Sequence, residues 1–328
     1  MAKVLRVAVL DAVTDEFEKR WKADLEGLSI DLVLLRDSGE QALKDTIAGS
    51  HILITRRRAI DASVLEAAGD TLRRVIKLSR WSLDVDLEAC KQRGVEVRNV
   101  PQLGCITVAE HAMTFLLMCA RDMIHSHLGV VSGEYREHGL TPEITTERSF
   151  AFKWNPVTPV EPYGQTLGIV GFGEIGKELA TRAKAFGMKI LYHDQYRPPA
   201  DVEAELNAEY RDLDGLLAES DFISLHIPHT PATEKLINAE SFKKMKSTAF
   251  IINACRGGVI DEMAMVEALK SGEIAGAGLD VFVKEPLPYD HPLTTLDNVV
   301  LSPHTGGGAG TGRADQRAQL HALISDLL

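Results

Sequence analysis

The chain has little that would tie it to nucleic acid, to a metal or to the secretory route. Only four of its 328 residues are cysteine, Cys90, Cys105, Cys119 and Cys255. They lie far apart and form no C-x-x-C pair, so neither a structural zinc site nor a disulfide framework is expected, and a reduced intracellular setting is. The pairs His125/His127 and His226/His229 have no cysteine or carboxylate ligands beside them, and no metal is expected there either. Basic residues are outnumbered: 36 Lys and Arg against 47 Asp and Glu give a formal net charge of −11. No positive excess is left to displace counterions from a phosphate backbone. Long apolar runs are missing as well. The most apolar stretch, Ala112 to Ala120, is too short to span a bilayer, and Glu110, Arg121 and Asp122 bracket it. Met1-Ala2-Lys3 leads straight into a strand-like run rather than a secretory pattern. The expectation is a cytoplasmic protein without nucleic-acid or membrane partners.

What is present is a rhythm. Short β-branched runs recur at Val4–Leu10, Ile30–Leu35, His51–Thr55, Val75–Leu78, Thr166–Val170, Lys189–Tyr192, Phe222–His226, Ala249–Asn253 and Val299–Ser302, with helix-like segments between most of them. Strands alternating with helices predict parallel sheets joined by crossover helices, an α/β fold. The length allows two domains. One segment breaks the rhythm: Ser132 to Tyr163 is polar, holds Pro142, Pro156, Pro159 and Pro162, and has little periodicity. A loop of that length is usually functional or an excursion over a cleft.

The clearest chemistry follows that segment. Thr166–Val170 reads as a strand, Gly171-Phe172-Gly173-Glu174-Ile175-Gly176 follows, and Lys177–Ala185 reads as a helix. A lone G-x-G-x-x-G is a weak signal, but between strand and helix it points to a dinucleotide site. Gly171 permits the tight turn, Gly173 lets a pyrophosphate approach the backbone, and Gly176 lets helix and strand pack closely. The N–H groups at the helix start, Glu174 and Ile175 among them, face the phosphates. Asp194, eighteen residues after Gly176, ends the next strand-like run. A carboxylate there accepts from the ribose hydroxyls of NAD and repels a 2′-phosphate, so NAD is favoured over NADP, with Arg197 nearby as a softening influence.

Three further groups follow apolar runs, where an open α/β sheet places its ligands. They are Arg256 in Asn253-Ala254-Cys255-Arg256-Gly257-Gly258, Asp280 and Glu285 in Gly278-Leu279-Asp280-Val281-Phe282-Val283-Lys284-Glu285-Pro286, and His304 in Ser302-Pro303-His304-Thr305-Gly306-Gly307. Taken singly, each also fits a solvated loop residue. Taken together, they supply what hydride transfer to a 2-keto acid needs: a cation to hold the carboxylate, an acid to protonate the alkoxide, and a carboxylate to tune that acid.

These motifs, with Ser224-Leu225-His226-Ile227-Pro228 and Thr107-Val108-Ala109-Glu110-His111, come in the order found in the D-2-hydroxyacid dehydrogenase family, and the sequence closely resembles that family over most of its length. The resemblance implies two Rossmann-like or flavodoxin-like domains, the cofactor domain (101–304) inserted in a substrate domain (1–100 plus 305–328). It implies an NAD-dependent oxidoreductase that interconverts a small 2-keto acid and a D-2-hydroxy acid. Arg256 would bind the substrate carboxylate, His304 would act as general acid/base and Glu285 would pair with it. Thr107, His226, Ile227, Pro228, Thr233, Ala254, Cys255 and Asp280 would join the glycine turn and Asp194 around the cofactor. The helix after Thr107, with Ala112, Phe115, Leu116, Met118 and Cys119 on its apolar side, would lie at a homodimer interface; a buried core helix would show the same pattern.

The resemblance breaks in one place. Members usually carry a Gly-Val-Gly-x-Asp loop after the fourth strand, whereas this chain has Ser79-Arg80-Trp81-Ser82-Leu83. With Arg56, Arg57 and Arg58 close by in sequence, Ser79, Arg80 and Trp81 are expected to reshape the substrate pocket, for a second anionic group or a larger side chain. Two other readings share the fold: a phosphoglycerate dehydrogenase, which the arginines would suit, and an NAD(H)-sensing corepressor-like binding protein.

Overall fold

Among the described residues every strand runs parallel to its neighbours, in two separate sheets. The computed structural model describes residues 4–11, 14–37, 39–142, 144, 159–308 and 313–328. It divides into two compact units, Met1–Gly104 with Ala309–Leu328, and Cys105–Gly308.

Unit 1 contains β1 (Leu5–Val9), β2 (Ile30–Leu34), β3 (Ile52–Thr55), β4 (Arg74–Lys77) and β5 (Glu96–Asn99), in the flavodoxin-like order β2-β1-β3-β4-β5. Helices α2 (Glu40–Ile47), α3 (Ala62–Ala68) and α4 (Leu87–Gln92) bury Leu43, Ile47, Val64, Leu65 and Cys90 on one face. On the other face α1 (Asp15–Asp24) and α12 (Arg313–Ser325) contribute Trp21, Leu320 and Ile324. Strands β3 and β4 are buried throughout; β3 accordingly reads as an apolar run, Ile-Leu-Ile-Thr, while β4, Arg-Val-Ile-Lys, buries a charged residue at each end. Arg74 is only 3% exposed and is satisfied by carboxylates, Nε to Glu96 at 2.7 Å and Nη2 to Asp326 at 2.8 Å. It thereby ties the C-terminal helix to this sheet.

Unit 2 contains most of α5 (Leu103–Ala120), then α6 (Met123–Ser132), β6 (Thr166–Val170), α7 (Glu174–Ala185), β7 (Lys189–His193), α8 (Ala200–Leu206), β8 (Ala208–Tyr210), α9 (Leu213–Glu219), β9 (Phe222–Leu225), α10 (Ala239–Lys244), β10 (Phe250–Asn253), α11 (Glu262–Ser271), β11 (Gly276–Leu279) and β12 (Val299–Leu301). The order is β12-β11-β10-β9-β6-β7-β8, so the chain winds outward from β6 in one direction, then returns beside it as β9 and winds the other way. The crevice between β6 and β9 is a topological switch point, where doubly wound sheets bind their ligands.

The α/β expectation holds, with differences of detail. Strands β5, β8 and β11 were not expected. β5 (Glu-Val-Arg-Asn) and β8 are short edge strands with charged residues, and β11 is Gly-Ala-Gly-Leu. The glycines of β11 are there for closeness: a Cβ at Gly278 would stand 2.6 Å from Phe115 Cβ, and one at Gly276 would stand 2.6 Å from Asn298 O. The helix expected at a dimer interface is α5; its Ala112, Phe115 and Leu116 are buried in the core of unit 2 itself, while Met118 and Cys119 are half-buried. At 18 residues and mean hydropathy 1.6, α5 is longer than the apolar run suggested and long and apolar enough to cross a membrane. Here it covers the sheet, and its Glu110 pairs with Arg182 of α7 at 2.9 Å. In the segment expected as a polar loop, a short 3-10 turn at Glu134–Arg136 follows α6, and positions 143 and 145–158 lie outside the described residues.

Candidate active site

The glycine turn sits where the switch point requires it. Gly171 takes φ +95°, and a Cβ there would come 2.5 Å from His226 O, across the β6–β9 crevice. At Gly176 a Cβ would come 2.3 Å from Gly171 O, so both positions exclude a side chain. Gly173 faces open space and begins α7 without a side-chain cap, leaving first-turn N–H groups for a ligand phosphate. The geometry fits a pyrophosphate cradle. Phe172 anchors the turn, its ring stacked on that of Tyr192 with centroids 4.2 Å apart.

Asp194 follows β7 directly. Its Oδ2 accepts the N–H of Phe172 at 2.6 Å and its Oδ1 that of Tyr196 at 3.0 Å. A carboxylate has about four lone-pair sites, so acceptor capacity remains for a ribose. Arg197 pairs with Glu203 at 2.8 Å rather than with Asp194, and lies over the Tyr210 ring, 5.0 Å from its centroid.

His226 is half-buried at the end of β9. Its Nε2 is 2.9 Å from Ser224 Oγ, while the buried Nδ1 has no hydrogen-bond partner among the described residues. Burial lowers its pKa to about 4, so the ring is neutral. Ile227 packs against the core beside Gly171, and Thr233 Oγ1 donates to Pro228 O at 2.6 Å, closing the loop after β9. Ala254 is buried next to Cys255, whose Sγ contacts Asn253 Oδ1 at 3.1 Å and whose thiol is pushed up by burial. That describes a packed residue rather than a nucleophile.

Arg256 leaves the sheet at the end of β10. The buried Asn253 forms its turn, accepting from Cys255 N at 3.0 Å and donating Nδ2 to Arg256 O at 3.0 Å. Gly257 lies flat on the next loop: a Cβ there would come 2.0 Å from Phe282 C. The exposed Arg256 guanidinium donates to Cys255 O and has no carboxylate partner among the described residues. It lines a cleft of about 610 Å³ together with His229, Phe282, Glu285 and His304.

Glu285 and His304 meet in that cleft, His304 Nδ1 lying 2.7 Å from Glu285 Oε2. Glu285 Oε1 accepts from Phe282 N at 3.1 Å, which fixes the carboxylate on the loop after β11. Burial pushes the Glu285 carboxyl up, but the His304 ring and the Phe282 N–H outweigh it and hold the group below its usual range. With Nδ1 engaged, Nε2 is the nitrogen that can exchange a proton with a ligand. His304 itself stands at φ +55°, a left-handed conformation uncommon for a residue with a Cβ.

Asp280, 1% exposed, enforces that conformation. Its backbone carbonyl accepts from His304 N at 2.8 Å, and its carboxylate accepts from Thr305 N and Gly306 N at 2.8 Å each. Ser302 Oγ donates to it at 2.5 Å, and His111 Nε2 stands 3.2 Å away. Burial pushes this carboxyl up as well; Ser302, the two N–H groups and His111 bring it below the usual range. Asp280 thus spends most of its acceptors on the histidine loop. His111 was outside the residues expected to act. It links α5 to the same network, 2.9 Å from Ser302 Oγ, and only its place in the Thr107–His111 motif hinted at this. Thr107 lies near this loop too, 3.1 Å from where a Cβ of Gly308 would stand.

Ser79, Arg80 and Trp81 lie at the end of β4 in unit 1. Ser79 is buried, and its Oγ accepts from Trp81 N at 2.9 Å. Trp81 is 8% exposed, with the Arg80 guanidinium 5.8 Å from its ring centroid. The ring is thus packed within unit 1 rather than open to solvent. The backbone N–H groups of Arg56 and Arg57 are held by Asp11, that of Arg57 at 2.9 Å.

A dinucleotide crevice in the same unit as a carboxylate-paired imidazole and a guanidinium with no carboxylate partner among the described residues has the construction of a nicotinamide-dependent oxidoreductase. Residues 113–306 match the family model described as D-isomer specific 2-hydroxyacid dehydrogenase, NAD binding domain. The chain is 39% identical over 307 residues to a glyoxylate reductase of Pyrococcus furiosus, covering 93% of this chain and 84% of that one. It is 40% identical over 276 residues to a hydroxypyruvate reductase of Thermotoga maritima, covering 83% and 82%. A solved glyoxylate reductase from Paecilomyes thermophila aligns over 98% of this chain and 94% of its own, with 26% identity and a TM-score of 0.56. The chain belongs to the D-isomer specific 2-hydroxyacid dehydrogenase family. It is an oxidoreductase acting on CH–OH groups, interconverting a 2-keto acid and a 2-hydroxy acid with a nicotinamide cofactor.

Proposed function

We propose that the protein is an NADH-dependent reductase of small 2-keto acids of the glyoxylate and hydroxypyruvate kind, with Arg256, His304 and Glu285 as its catalytic residues. The observation that carries this reading is the 2.7 Å contact of His304 and Glu285 in the cleft that Arg256 lines. Arg256 holds the substrate carboxylate by a charge-assisted fork and draws electron density from the keto oxygen. The bound nicotinamide supplies the hydride. His304 Nε2 gives its proton to the oxygen as negative charge develops there, and Glu285 stabilises the imidazolium that is the acid form. In the reverse direction the neutral imidazole takes that proton back.

NAD over NADP is supported by Asp194, whose negative charge repels a 2′-phosphate. Unit 2 is the cofactor domain in this reading and unit 1 the substrate domain. A homodimer is supported by α6, a helix without charged residues whose Met123, Leu128, Val130 and Val131 are at least half exposed. Four free cysteines fit a reducing, cytoplasmic setting. Product analysis tests the reading. Incubation with hydroxypyruvate and NADH is expected to yield the D-isomer of glycerate by chiral chromatography. The L-isomer, or no product from either keto acid, would contradict it.

A further inference from the structure

We propose that Glu203 sets the cofactor preference by holding Arg197 away from the 2′ position of the adenosine ribose. The proposal rests on the dinucleotide reading of the glycine turn. Three residues past Asp194, Arg197 is the cation that a 2′-phosphate would recruit, since a guanidinium binds phosphate oxygens as a fork. Its fork is already occupied. Nη2 and Nε lie 2.8 and 3.3 Å from Glu203 Oε1, and the guanidinium plane covers the Tyr210 ring.

The acceptor is on rigid structure. Glu203 lies in α8, whose neighbouring residues Val202 and Leu206 are buried in the unit-2 core. The phenol of the fully buried Tyr192 donates to the same Oε1, and burial, with the Glu203 carboxylate, pushes that phenol up to about 12, so it remains a donor at any working pH. Between Arg197 and α8 the chain is Pro198-Pro199, which fixes two backbone φ angles and limits how far the arginine's loop can swing. The cation that would soften the Asp194 preference is thus neutralised in place, and Asp194 acts on the ribose alone.

The test is equilibrium titration of NADH and NADPH, followed by nucleotide fluorescence, with the full-length wild type, Glu203→Ala, Glu203→Gln, and Glu203→Ala combined with Arg197→Ala. Glu203→Ala is expected to raise NADPH affinity about fivefold relative to NADH, the scale of one exposed charge-assisted contact. Glu203→Gln, which keeps an acceptor for Tyr192 and guards against misfolding, should shift the ratio the same way but less. The gain should vanish in the double variant. An unchanged ratio in a folded Glu203 variant, or a gain that survives loss of Arg197, would overturn the proposal. A wild type that binds neither nucleotide would overturn the dinucleotide reading beneath it.

Discussion

The carboxylate of Asp280 accepts the N–H of Thr305 at 2.8 Å, and its carbonyl accepts that of His304 at the same distance, so one buried residue shapes the turn that presents the imidazole. A left-handed non-glycine residue costs of order 1–3 kcal/mol and persists only where its surroundings determine it. Asp280→Asn keeps one oxygen acceptor but sets an amide donor against backbone N–H groups. The expected loss is about 2 kcal/mol of stability, read by urea unfolding. A fall in kcat should accompany it, because His304 loses its defined position.

Glu285→Gln removes the charge that favours the imidazolium and leaves the hydrogen-bond geometry nearly intact. Keto-acid reduction should fall about 10- to 100-fold. NADH affinity should stay as in the wild type, because Glu285 meets the imidazole and not the glycine turn. Wild-type turnover by the variant, in initial-rate assays with hydroxypyruvate, would show that the Glu285 charge does not assist the imidazole.

The Arg256 turn depends on a glycine. A Cβ at Gly257 would stand 2.0 Å from the Phe282 backbone, and backbone cannot move aside as a side chain can. Gly257→Ala is expected to cost about 1–3 kcal/mol. It should raise KM for the keto acid more than it lowers NADH affinity, because the strain displaces Arg256 and not the glycine turn. Thermal unfolding and steady-state kinetics check both parts.

His226 gives the protein an acid-side liability. Its folded pKa of about 4 lies below the ordinary histidine value of 6.5. Above 6.5 the ring is neutral in both states and contributes nothing to pH dependence. As pH falls through 6.5 the unfolded chain takes up the proton and the folded one does not. Stability therefore declines until pH reaches about 4, by about 3 kcal/mol in all. His226→Gln should flatten the unfolding free energy between those limits, measured by denaturant titration at half-unit steps.

Much of this was legible in the sequence because the chemistry sits on glycines and strand ends. The Gly171–Gly176 turn and Asp194 announce their geometry, since only a strand-turn-helix uses glycines at that spacing. Arg256, Glu285 and His304 could be grouped because each follows an apolar run and parallel strands bring those ends to one edge. Less legible were features set by tertiary approach. β11 lacks any strand-like pattern because Phe115 presses on its glycines. The same apolar face of α5 would serve a core or an interface, and only packing shows that Ala112, Phe115 and Leu116 lie in the core of unit 2. Asp280 read as a cofactor contact, and its bonds to Thr305 and Gly306 emerged only with the turn folded. That Trp81 would be buried was set by packing, which no local motif encodes.

The central claim is that His304 moves the proton while Arg256 holds the acid, and one assay reaches it directly: NADH oxidation with glyoxylate and with hydroxypyruvate at pH 7, for wild type and His304→Ala. The account predicts steady turnover by the wild type and a loss of about 10²- to 10⁴-fold in kcat for the variant, with NADH affinity retained. Comparable turnover by both proteins would contradict it.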